Sequence, residues 1–69
     1  MKLKTLKKAA KKYRTKNPEL RKGQSISIIL KDMNSEAYDE IQGTVFDPYH
    51  VNANLPYLYR YLKENHGYR

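Results

Sequence analysis

A chain of 69 residues with no cysteine and a formal charge of +7 leaves few protein classes open. The length suits one small domain with a modest core, and the missing cysteines exclude a disulfide framework and a cysteine zinc site. The longest apolar run, Ile28-Ile29-Leu30, falls far short of the ~20 residues of a membrane-spanning helix. Ten of the fourteen Lys and Arg lie in the first 22 positions, where Glu19 is the only acid, so this segment carries +9. The other 47 residues hold four cations against six acids, a sum of −2. Such asymmetry predicts a polyanion or an acidic protein surface as partner.

The start, Met1-Lys2-Leu3-Lys4, is basic like the beginning of a secretion signal. Further lysines stand where the apolar stretch of a signal should follow. With no cysteine present, the expectation is a reducing, cytoplasmic setting and no membrane.

Residues 2–16 have helical periodicity. Leu3, Leu6, Ala9/Ala10 and Tyr13 recur at steps of three and four and mark one thin apolar stripe. Lys4, Lys8 and Lys12 form a like-charge row at i,i+4, and Lys7 and Lys11 form another. Each such pair costs a few tenths of a kcal/mol, and lysines near the start oppose the helix dipole. In isolation this helix frays; anionic contacts would relieve the repulsion.

Asn17-Pro18-Glu19 punctuates the chain. Asn is a good N-cap, Pro suits the first helical position and Glu complements the dipole, so a second helix is predicted over residues 18–33. Ile26, Ile29, Leu30 and Met33 would form its stripe. Residues 24–30 also alternate in part and are β-branched, which keeps a strand as the alternative. Gly23 weakens a helix but would let another element approach closely.

Asn34 or Ser35 can cap a short third helix over residues 35–42, with Ala37, Tyr38 and Ile41 inward and Gly43 as its stop. A loop over residues 44–53 follows, with Val45, Phe46 and Tyr49 as anchors and Asp47-Pro48 as a turn. Asn54 caps a final helix over residues 55–65, with Pro56 in its first turn, Leu55, Leu58, Tyr59 and Leu62 inward, and Gly67 closing it. The expected fold is a small all-α domain of three to four helices: a basic helical arm, 1–16, on a helical core, 17–67. The predicted core is Ile26, Ile29, Leu30, Met33, Ile41, Phe46, Leu55, Leu58 and Leu62.

The strings Asn17-Pro18-Glu19-x-Arg21-x-Gly23-Gln24, Gly43-Thr44-x-x-Asp47-Pro48-Tyr49 and Leu55-Pro56 carry a resemblance. Together they resemble a group of short uncharacterised open reading frames in phages and bacterial genomes. Those share P-E-x-R-x-G-Q, then G-T-x-x-D-P with Phe or Tyr, then a proline-started terminal helix. The resemblance covers roughly residues 17–62 and implies a phage or mobile-element setting without a particular chemistry. The basic arm and Ser25-Ile26-Ser27 depart from the pattern.

The candidate nucleic-acid-binding residues are Lys4, Lys7, Lys8, Lys11, Lys12, Arg14, Lys16, Arg21 and Lys22. Phosphate contacts from such residues are sequence-blind and salt-sensitive, and the preponderance of lysine argues against base readout. Competing readings are a solvated face, or pairing with Glu36, Asp39 and Glu40. The connection at residues 16–18 has helix-turn-helix length, but a recognition helix built on Ile26 to Leu30 is too apolar for a groove. A lipid-surface helix would want Phe or Trp on its apolar face. A protein effector docking on an acidic host surface, anchored by Tyr49, Tyr57 and Tyr61, is the alternative function. Asp47, Asn52 and Asn54 are expected to orient their own loop through its backbone. His50 and His66 are the only histidines, and Asp47 with His50 makes a poor metal site. No enzyme activity, metal or cofactor is predicted.

Overall fold

The computed structural model describes residues 2–69; Met1, the first residue of the basic start, lies outside them. The chain forms four α-helices: α1 Leu3–Lys16, α2 Lys22–Met33, α3 Ser35–Ile41 and α4 Leu55–Asn65. One turn of 3-10 helix, Asn52–Asn54, leads into α4, and the described residues contain no strand. The all-α expectation therefore holds, and the strand alternative for residues 24–30 does not.

α2 explains why that segment alternates. It lies between α1 and α3 and also meets the 3-10 turn, so it is buried on more than one side. Ile26 and Leu30 face the core, while Gly23, Ser25 and Ser27 are buried as well. A helix enclosed this way loses the single apolar stripe that marks a surface helix.

α2 starts four residues later than Pro18 predicts. Asn17 closes α1: its N–H reaches the carbonyls of Tyr13 and Arg14, and its side-chain amide donates to the Tyr13 carbonyl at 3.0 Å. The Asn17 carbonyl then accepts from the Leu20 N–H at 3.0 Å, making a turn with Pro18 at its second position. Proline at that position fits a β-turn as well as it fits a helix start. Helix begins after extended Arg21, whose N–H donates to the Gln24 side chain at 3.0 Å. This is one half of a capping box; arginine has no acceptor with which to complete it.

α1 is a wall of the core. Leu3, Leu6 and Ala10 are buried in one cluster with Ile26, Leu30, Ile41, Leu55, Leu58 and Leu62. Of the predicted core, Ile29, Met33 and Phe46 pack only at its edge. Leu6 and Tyr68 were not predicted there, yet they are 0% and 4% exposed. Gly67, at φ +65°, turns the chain after α4, and the Tyr68 N–H bonds back to the Leu62 carbonyl. The Leu3 N–H donates to the Arg69 carbonyl at 2.7 Å, fastening the last residue to the start of α1.

Asn34 caps α3 as expected, accepting from the Ala37 N–H. Two expectations for the loop fail. Val45 is 57% exposed and anchors nothing in the core, and Pro48 is buried in its place. Asn54 occupies the cap position of α4 without a side-chain capping bond: its backbone is already helical, unlike that of a usual cap, and its amide donates to the Asp47 carbonyl at 3.1 Å.

Candidate nucleic-acid interface

The periodicity that turns Leu3, Leu6 and Ala10 inward sends the lysines of α1 outward. Lys4, Lys7, Lys8 and Lys11 line a groove of about 480 Å³ together with Leu3, Lys63 and Arg69. A second groove of about 260 Å³, between α1 and α2, is lined by Lys7, Ala10, Lys11, Arg14, Lys22, Ser25 and Ile26. The two share Lys7 and Lys11, so the cationic surface is continuous from the C-terminal residues to the start of α2. Lys12 and Lys16 are exposed on the outer side of α1.

No carboxylate among the described residues lies within 4.0 Å of these cations. Among the described residues the ion pairs within 4.0 Å are Arg60–Glu64 and His66–Glu40. The pairing of α1 with Glu36, Asp39 and Glu40 does not form, because α2 stands between α1 and α3. The Lys7 ammonium lies over the Tyr59 ring, 4.4 Å from its centre. Burial raises the Tyr59 pKa, and its hydroxyl has no hydrogen-bond partner.

Glu40 sits in a different cluster. Its Oε1 accepts from the Tyr61 hydroxyl at 2.5 Å and meets His66 Nε2 at 2.7 Å. The bond from Tyr61, then that from His66, lowers the Glu40 pKa, and the same carboxylate raises that of Tyr61. Tyr61 also packs against Phe46, ring centres 5.0 Å apart. So Tyr61 is committed to joining α3, the loop and α4. Tyr57, 51% exposed, remains open, and half-buried Tyr49 stacks edge-on against His50 at 4.8 Å. The three tyrosines therefore differ in availability.

Arg21 is also partly committed: its Nη2 donates to the Tyr49 carbonyl at 2.9 Å. That bond belongs to a clasp joining the two sequence motifs. The Gly23 N–H donates to Asn52 Oδ1 at 2.8 Å. The Asp47 carboxylate accepts from the Gly43 and Tyr49 N–H groups, each at 3.0 Å, and from the Ser27 and Tyr38 hydroxyls at 3.3 Å. Burial and then the Asp47 charge raise the Tyr38 pKa. Asp47 and Asn54 bond the backbone of their own loop, as expected, whereas Asn52 bonds Gly23 and so ties the loop to α2. With its oxygens engaged by these donors, Asp47 is poorly placed to join His50 on a metal. No group of three or more His, Cys, Asp or Glu among the described residues could hold one.

Lys63 and Arg69 were missed by sequence reasoning. Nothing in their local pattern distinguishes them, and only the folded C-terminus brings them beside α1. No family model, curated protein or solved structure matches the chain.

Proposed function

We propose that the protein is a non-enzymatic binding protein that contacts nucleic-acid phosphates through the cationic face of α1. The observation that carries this reading is the continuous surface, without ion pairs among the described residues, from Lys4 on α1 to Lys22 on α2, with the other side of α1 buried in the core. Like charges gathered on a fixed scaffold repel one another and attract a polyanion, which releases counterions on binding. The motif resemblance adds a phage or mobile-element setting, and the composition a cytoplasmic one.

Fluorescence anisotropy with labelled DNA and RNA at two salt concentrations tests the reading. Binding should weaken steeply with salt. Replacing Lys7, Lys8, Lys11 and Lys12 by Ala should flatten the slope of log affinity against log salt by about 0.9 for each phosphate that is no longer neutralised. Exposed Tyr57, with Val45 and Val51, favours the second reading, docking on an acidic protein surface. In that case affinity for the partner survives moderate salt, and Tyr57→Ala weakens it more than any single lysine change.

A further inference from the structure

We propose that the cationic surface takes double-stranded nucleic acid, and that Lys63 and Arg69 contact its phosphates alongside the cations of α1. This rests on the nucleic-acid reading above and adds the class of ligand and a second row of contacts.

The second row comes from the way the chain closes. Tyr68 is 4% exposed and Arg69 is bonded through its carbonyl to Leu3, so Arg69 is held beside the first turn of α1. Lys63, on the last turn of α4, lines the same groove. The carboxylate next along α4, Glu64, lies 3.6 Å from Arg60. Two rows of positive charge thus face one groove, Lys4, Lys7 and Lys11 on one side and Lys63 and Arg69 on the other. α1 is 14 residues long, about 21 Å, which matches the axial length of about six base pairs.

The lining also argues against a single strand. Proteins that bind single strands add aromatic platforms on which unpaired bases stack, and each platform contributes substantially. Neither of these two cationic grooves is lined by an aromatic side chain. Of the nearby rings, Tyr59 is covered by Lys7 and has a buried hydroxyl, and half-buried Tyr13 of α1 lines neither groove. Exposed Tyr57 is not among the lining residues. Fixed cations without stacking surfaces suit phosphates held in fixed rows, as in a duplex whose bases are already stacked.

The experiment titrates the full chain into fluorescein-labelled duplex DNA, duplex RNA and the separate strands, all about 20 nucleotides long, at about 50 and 200 mM salt. The variant is K63A/R69A; both side chains are exposed, and circular dichroism checks that it keeps its helices. The expected result is at least tenfold tighter binding of a duplex than of its strands. The variant should lose about 1.8 from the salt slope, so that its affinity falls roughly tenfold less than the wild type's between the two salts. Equal affinity for strands and duplex, or an unchanged slope in a folded variant, overturns the inference while the wild-type binding leaves the broader reading standing. No binding to any of these ligands at low salt overturns both.

Discussion

Replacing Gly23 by Ala sets helix propensity against tertiary packing. Propensity alone favours the change, since Ala is better than Gly by about 1 kcal/mol within a helix. The structure reverses the sign. A Cβ on residue 23 would stand 2.1 Å from the Pro48 carbonyl oxygen and 2.7 Å from Asn52 Oδ1. To reach an ordinary 3.4 Å contact the carbonyl would retreat by about 1.3 Å, and Pro48 is itself buried. That movement strains two bonds of the clasp, Gly23 to Asn52 and Arg21 to Tyr49. Overpacking costs about 1–3 kcal/mol and each weakened hydrogen bond about 1 kcal/mol, with the exposed Arg21 bond at the lower end. After the propensity gain the net loss is about 2 kcal/mol. For a domain of this size each kcal/mol moves the midpoint by about 4–8 °C, so thermal denaturation followed by circular dichroism should show a fall of roughly 8–16 °C. A midpoint equal to or above the wild type's would refute the close approach of the loop to α2. Gly43→Ala is the companion: its Cβ meets nothing within 4 Å, and only the backbone angle of +78° resists it, so a smaller loss of about 1–2 kcal/mol is expected.

Asp47→Ala leaves the Gly43 and Tyr49 N–H groups and the Ser27 and Tyr38 hydroxyls without their acceptor, and should destabilise by at least about 2 kcal/mol in denaturant titration. Leu6→Ala empties a fully buried site and should cost about 2–5 kcal/mol; a loss within error of zero in the same titration would mean that α1 does not form part of the core. Because the Glu40 pKa is lowered on folding, its contribution is present above the ordinary value of 4.5 and lost as pH falls through the folded value. Wild-type melting temperature should therefore drop more steeply below that pH than that of Glu40→Gln, and parallel curves would contradict the link to Tyr61 and His66.

Local signals were enough wherever a feature depends on residues three or four apart. The stripe on α1, the Asn34 cap, the stop at Gly43 and the inward leucines of α4 are of this kind, and so is the lysine-rich character of the first helix. Tertiary structure decided the rest. Pro18 suits a helix start and a turn equally, and the pattern over residues 24–30 suits either a strand or an enclosed helix; packing against α1, α3 and the loop selects between them. The roles of Arg21, Gly23 and Asp47 depend on partners 20 to 29 residues away, as in Ser27 to Asp47 and Gly23 to Asn52. Lys63 joins the basic surface because α4 brings its last turn to the groove beside α1, and Arg69 because Gly67 turns the chain and Tyr68 is buried. Periodicity and capping act within a turn or two of helix, whereas a groove or a clasp exists only when distant segments are brought together by burial of the core.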